Sequence, residues 1–409
     1  MKLNYILIGI IVLFAALRFI DIEADFPQKF IDGGFVLTDE GWYCNGATSK
    51  ILTGTWVSDA FQSMPVIPVN HILQYINMSV FGVSSATLRY SMCVFFLVFI
   101  FIMYLVCKRL YDPLSALVAL IPLVTSGYLF AYSRIGLIDI EMLMMISVSI
   151  LMAVYKRPVL SSVFMIVALL TKTSAMFAIV PIGYLLYKQI DIKKAIIYIS
   201  IVIGIYGFYM LSVKSSYPEV FNTFFSSNIS GRAKISVYSA VNKIISFDIV
   251  LFLSLCVALS GFEIKKNVFN LMLLLFGFAM ISMNGYQPNR YFIVLVPAVC
   301  MIIASGMYEL KDKRKFIYII TGICLLFNGV DIYQMFKSRQ HTLRNCFKAL
   351  SNENVKGPIS STAMLYTSKV SKDKTCYVLR YQDREMAKNI KATSCQETVV
   401  YGQKLFILR

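Results

Sequence analysis

Apolar runs recur along most of this chain, and they leave very few folds open to it. The first is Leu3–Ile20; others occupy 90–107, 114–132, 139–155, 158–171, 173–187, 195–213, 244–262, 268–284, 291–309 and 316–336. A helix needs about 20 apolar residues to cross a ~30 Å hydrocarbon core, so these runs predict an all-α polytopic membrane protein with about eleven transmembrane helices. Inside a bilayer each backbone N–H and C=O must be satisfied within the protein, and helices do this segment by segment. The stretch 158–187 is divided at Thr171-Lys172-Thr173, because one helix that long would overshoot the bilayer. The first run is too long for a signal-peptide core and lacks a small-residue cleavage site, so it is expected to stay as an anchor.

Composition agrees: 58% of the 409 residues are hydrophobic and 15% charged. The net charge of +17 would suit a nucleic-acid binder, but lysine-rich loops in a membrane protein report orientation first. Lys108-Arg109, Lys156-Arg157, Lys188 with Lys193-Lys194, Lys265-Lys266 and the Lys311–Lys315 run fall on alternate loops. With those loops cytoplasmic, so is the amino terminus, and residues 21–88, the 214–243 loop, the 284–290 turn and the tail after Phe336 face outward. The expected location is the plasma (inner) membrane, with no nucleic-acid partner. Two histidines, His71 and His341, make a histidine-ligated metal site improbable.

Within the first outer loop, Leu37–Tyr43 places Asp39 and Glu40 beside Trp42 and Tyr43. Aromatic residues of this kind favour the bilayer boundary and would hold the acid pair at headgroup depth; a solvated acidic turn is the plain alternative. Ala47–Trp56 and Val69–Phe81 read as short helices lying on the membrane surface. Arg89, Arg134, Asp139, Lys172 and Arg290 all fall at outer helix ends under this topology. Charges there face a polar cavity or snorkel to the boundary, and an Arg134–Asp139 ion pair is one expectation.

After Phe336 the pattern changes to a small α/β unit: a strand over Cys376–Tyr381, a helix over Asp383–Lys391, and a hairpin from Thr398 to Leu408. The expected division is a transmembrane unit over 1–336, including the 21–88 loop, and an extracytoplasmic domain over 337–409. Cys376 and Cys395 would be free to pair in an oxidising compartment, although Cys346 makes the tail count odd.

Thr38-Asp39-Glu40-Gly41-Trp42-Tyr43, then Gly54-Thr55-Trp56 with Pro65 and Pro68, Phe81-Gly82 before Arg89, the Arg134–Asp139 turn, Leu170-Thr171-Lys172-Thr173 and Pro288-Asn289-Arg290-Tyr291 with Pro297 follow one order. In that order they resemble the GT-C glycosyltransferases, nearest the branch of protein O-mannosyltransferases and lipid A aminoarabinose transferases. The resemblance spans residues 1 to 336; the tail is outside it. It implies a sugar donor linked through one phosphate to a polyprenyl lipid, and an acceptor hydroxyl on a glycan, lipid or protein arriving from the outer face.

The chemistry of the residues fits that implication. An acceptor hydroxyl needs a carboxylate to take its proton as it attacks the anomeric carbon, and Asp39 matches the motif for that role; Glu40 would either hold the Asp39 loop or stand in for Asp39. The leaving phosphate gains charge, which fixed cations would stabilise. Arg134, Lys172 and Arg290 are the candidates, with Tyr291 as hydrogen-bond donor and Asp139 orienting Arg134 or the acceptor. A single-phosphate donor and the lack of a D-x-D cluster in the outer loops lead to the expectation of inverting transfer without metal or cofactor. A transporter or lipid flippase would also gather charges in a bundle, but inverted repeats and broken midplane helices should then be visible.

Overall fold

The computed structural model describes residues 2–24, 33–56, 63–229, 248–259, 261, 263–283, 289–310, 313–339, 377–380, 395–400 and 403–408. The described chain is built of helices apart from one small sheet. In order they are α1 (Lys2–Leu17), α2 (Gly33–Thr53), α3 (Pro68–Phe81), α4 (Ser85–Leu110), α5 (Pro113–Thr125), α6 (Gly127–Tyr132), α7 (Asp139–Val154), α8 (Pro158–Thr171), α9 (Ile179–Gln189), α10 (Ile192–Ser216) and α11 (Pro218–Ile229). Helices over Ile249–Leu259, Val268–Met283, Val296–Glu309, Lys313–Ile323 and Gly329–Lys337 complete the set. Among the described residues, Ser85–Leu110, Ile192–Ser216, Arg290–Glu309 and Lys315–Lys337 are long and apolar enough to cross a membrane, and five shorter apolar helices accompany them.

Local chemistry fixes many of the ends. Asp112 caps α5, accepting from the Leu114 and Ser115 amides at 2.8 and 2.9 Å, with Pro113 in the first turn where a missing N–H does no harm. Ser84 caps α4, whose last turn carries Lys108 and Arg109 where the helix dipole favours cations. The run 158–187 does break at Lys172: α8 stops at Thr171, Lys172 is extended, and a 3-10 turn over Thr173–Ala178 leads into α9. The expected single span over 114–132 is instead interrupted at Ser126, between α5 and α6.

Packing between helices uses small and polar residues, as it must where lipid removes the hydrophobic drive for association. Ser149 and Ser161 exchange hydrogen bonds between α7 and α8, each hydroxyl donating to the other's carbonyl at 2.8 and 2.9 Å. A Cβ added at Gly306 would lie 2.0 Å from the Ala258 carbonyl oxygen, so the Val296–Glu309 and Ile249–Leu259 helices meet backbone to backbone. The outer surface is apolar: Ile203, Phe208 and Leu211 of α10 are 59%, 74% and 67% exposed. Helix α3 is turned the same way, with Ile72, Ile76, Val80 and Phe81 outside and Asn70, His71 and Gln74 buried.

The segment that follows α1 is more helical than its sequence predicts. Four glycines before Ala47 argue against a helix, yet α2 starts at Gly33, so Asp39 and Glu40 sit on a helix rather than in a loop. Tertiary packing overrides propensity here: a Cβ at Gly46 would stand 3.0 Å from His71 Nδ1, so glycine admits the close approach of α3. Tyr43 is buried and Trp42 stacks on Phe224 at 6.4 Å. Both aromatics therefore pack against neighbouring helices.

Near the carboxyl end, β1 (Tyr377–Arg380), β2 (Cys395–Val400) and β3 (Gln403–Leu408) form an antiparallel sheet in the order β1-β3-β2. Leu408 of β3 pairs with Tyr377 on one side and Cys395 on the other. The helix expected over Asp383–Lys391 lies outside the described residues, as do Cys346 and Cys376 and the side chain of Cys395.

Candidate functional site

Glu40 is the most firmly held of the singled-out residues. It is fully buried and grips Arg89 of α4 through two parallel hydrogen bonds, Nε to Oε1 at 2.8 Å and Nη2 to Oε2 at 3.0 Å. The Gly136 amide also donates to Oε1, at 2.8 Å. A fork of this kind matches the planar guanidinium to both carboxylate oxygens. A Cβ on Gly136 would stand 2.3 Å from Leu88 Cδ2, which explains the glycine at that crossing. The third nitrogen of Arg89 reaches the Ile22 and Ala24 carbonyls at 3.2 and 3.4 Å. Glu40 thus ties α2, α4, the turn after α1 and the turn before α7 to one point. Asp39 is its neighbour on α2; the Asp39 side chain lies outside the described residues.

Asp139 and Arg134, expected to pair, do not. Asp139 opens α7 and its Oδ1 lies 2.5 Å from Lys172 Nζ, both largely buried. Arg134 instead donates from Nη2 to the Asp21 carbonyl at 2.6 Å and stands 5.5 and 5.6 Å from the Phe130 and Phe336 rings. Burial lowers its guanidinium to about 10, which leaves it charged at neutral pH. The reason for the exchange is local: the backbone from 133 to 138 turns Arg134 back toward α1, while α8 ends beside the first turn of α7 and delivers Lys172 there.

From Lys172 a chain of cations and rings runs on. Lys172 Nζ lies 5.3 Å from the centre of the Tyr291 ring, Arg290 lies 5.5 Å from the same ring, and Arg290 is 6.0 Å from the Tyr43 ring. Tyr43 follows Asp39 by four residues, about one helical turn, on α2. Asn70 of α3 donates to the Tyr43 carbonyl and holds that turn. Lys172, Asp139, Tyr291, Arg290 and Tyr43 therefore meet from α7, α8, α2 and the 3-10 turn at Asn289–Leu295. Tyr128, Asp248, Leu251, Phe252, Phe292 and Leu295 line part of an apolar groove of about 50 Å³, and Tyr128 lies within electrostatic reach of Asp139 and Arg290.

Sequence reading missed Arg18, hidden inside the first apolar run. It is fully buried, donates to Ser133 Oγ, Phe14 O and Val124 O at 3.0, 2.6 and 2.9 Å, and lies over the Phe96 and Phe130 rings at 4.3 and 5.0 Å. A lone arginine inside an apolar run was the available signal. Asp248 was also passed over; it accepts from Ser126 and from the Leu251 amide at 2.9 Å, capping the Ile249–Leu259 helix.

With the bundle and this polar junction described, the fold has solved counterparts among membrane proteins. The likeness is to ArnT from Cupriavidus metallidurans bound to undecaprenyl phosphate, with a TM-score of 0.64, 12% identity and 98% of each chain covered. The apo state of the same protein matches equally. The apo oligosaccharyltransferase of Archaeoglobus fulgidus follows with a TM-score of 0.53 and 10% identity, over 86% of this chain and 58% of that one. No protein-family model and no curated protein sequence matches this chain.

Proposed function

We propose that this protein is an integral-membrane glycosyltransferase that moves a sugar from a polyprenyl-phosphate donor to an acceptor hydroxyl on the outer face of the membrane. The observation that supports it most is the run of Lys172, Tyr291, Arg290 and Tyr43 beside Asp139, one helical turn from Asp39. A neighbour in fold holds undecaprenyl phosphate, and a lipid phosphate is the ligand this cationic pair suits.

In this reading Lys172 meets the phosphate as a compact point charge and Arg290 as a planar fork. Tyr291, between them, donates its hydroxyl. The first isoprenoid units run into the apolar groove past Tyr128. The acceptor oxygen attacks the anomeric carbon from the opposite side and its proton passes to the Asp39 carboxylate. The bond between that carbon and the phosphate oxygen breaks, the phosphate leaves with the electron pair, and the anomeric configuration inverts. Glu40, gripped by Arg89, positions the α2 turn that carries Asp39. Arg134 and Asp139 steady the turn and the lysine. One negative charge develops on a phosphate already flanked by two cations, so transfer is expected to need no metal.

The test uses purified full-length protein, a radiolabelled polyprenyl-phosphate sugar and candidate glycan, lipid and protein acceptors, with and without a strong chelator. Label transfer that persists in chelator is the expected result. Failure of the protein to bind polyprenyl phosphate in liposomes would remove the donor assignment, and a chelator-sensitive reaction would remove the metal-free one.

A further inference from the structure

The turn at residues 18–24, between α1 and the segment leading to α2, receives three arginines from distant points of the chain. Arg89 Nη1 donates to the Ile22 and Ala24 carbonyls at 3.2 and 3.4 Å. Arg134 Nη2 donates to the Asp21 carbonyl at 2.6 Å, and Arg339 Nε lies 2.7 Å from the Asp21 carboxylate. The turn closes on itself through the Ala24 amide, which donates to the Asp21 carbonyl at 3.0 Å. Asp21 has φ +51°, in the left-handed region, where asparagine and aspartate are the side-chain-bearing residues best tolerated and β-branched ones the least.

The arginines carry the turn's geometry elsewhere. Arg89 spends its other two nitrogens on Glu40, next to Asp39, and Glu40 accepts from the Gly136 amide two residues after Arg134. The contacts close a circuit: Asp21 to Arg134, through the backbone to Gly136, across to Glu40, on to Arg89, and back to the turn at Ile22 and Ala24. Arg89 is 2% exposed. Its three nitrogens are shared between those carbonyls and Glu40, so a change in where the carbonyls point is passed to Glu40.

We propose that Asp21 is a positioning residue for the transfer reaction. Its left-handed backbone aims the carbonyls that hold Arg89 and Arg134, and through Glu40 it sets the turn of α2 that carries Asp39. The inference rests on the transferase reading above. Its carboxylate, 27% exposed, contributes less than its backbone, because ion pairs open to solvent are weak.

The experiment compares Asp21→Asn, Asp21→Gly and Asp21→Val in the full chain, in micelles. It reads kcat and KM for a polyprenyl-phosphate sugar, and deuterium exchange at the Gly136 amide. Asparagine and glycine accept the left-handed backbone and should leave kcat within about threefold of wild type, whereas valine should lower it by about tenfold or more at nearly unchanged KM. Exchange at Gly136 should quicken in the valine variant alone. If valine prevents folding, Asp21→Ala replaces it, with the same order of effects at smaller size. Wild-type kcat and wild-type exchange in the valine or alanine variant would overturn the proposal, and so would equal losses in the asparagine and valine variants. Absence of any transfer by the wild-type protein would defeat the transferase reading instead, and the exchange comparison would still decide whether Asp21 governs this circuit.

Discussion

Replacing Arg89 by methionine removes the guanidinium from a site where Glu40 is fully buried. The carboxylate then keeps the Gly136 amide at 2.8 Å and loses the contacts at 2.8 and 3.0 Å. Breaking a buried ion pair from one side costs about 3–5 kcal/mol, since the partner stays charged and dry. At about 1.4 kcal/mol per factor of ten, the folded population falls roughly 140- to 4000-fold relative to the unfolded. Glu40→Met should do the same from the other side. The double variant removes both charges and leaves the Gly136 amide unmet, a penalty of about 1–3 kcal/mol, beside the longer contacts at 3.2 and 3.4 Å that the Ile22 and Ala24 carbonyls lose. The double variant should therefore be more stable than either single one. Unfolding in mixed micelles can be followed by fluorescence, because the chain's two tryptophans are Trp42 and Trp56 and the first lies two residues from Glu40. Additivity of the two single changes to within about 0.5 kcal/mol would mean the groups do not interact and would refute the clamp.

Three further outcomes follow from the same geometry. Gly136→Ala would place a Cβ 2.3 Å from Leu88 Cδ2; the overpacking should lower stability by about 1–3 kcal/mol and Leu88→Ala in the same chain should recover part of it, measured by the same unfolding assay. Burial depresses the His71 imidazole to about 3, below its ordinary value of about 6.5, so its contribution is intact above pH 6.5 and is lost as pH falls toward 3, at roughly 1.4 kcal/mol per pH unit. His71→Gln should flatten that slope, and an unchanged pH dependence would disprove the assignment. Lys172→Met should weaken polyprenyl-phosphate binding about 10- to 100-fold, the scale of a charge-assisted hydrogen bond, in a titration on liposomes; wild-type affinity would take Lys172 out of the phosphate site.

Residue patterns showed the membrane class, because hydropathy acts over short distances that a sequence displays directly. Pairings were less visible. Arg134 and Asp139 are five residues apart and invite a local ion pair, but Asp139 meets Lys172, 33 residues away, at 2.5 Å. Glu40 and Arg89, 49 residues apart, meet through the crossing of α2 and α4. Helix α2 was concealed by its glycines, which lower intrinsic propensity while permitting the contacts that stabilise the helix. Arg18 was concealed by its surroundings: its partners are carbonyls, a hydroxyl and ring faces, none of which a charge pattern reveals.

The role of Asp39 can be measured directly. Wild type and Asp39→Asn, purified side by side, are compared for transfer from a polyprenyl-phosphate sugar and for binding of polyprenyl phosphate. Loss of a general base should lower turnover by about 10²–10⁴, while lipid binding, assigned to Lys172 and Arg290, stays at the wild-type level. Turnover equal to wild type in the asparagine variant would contradict the account.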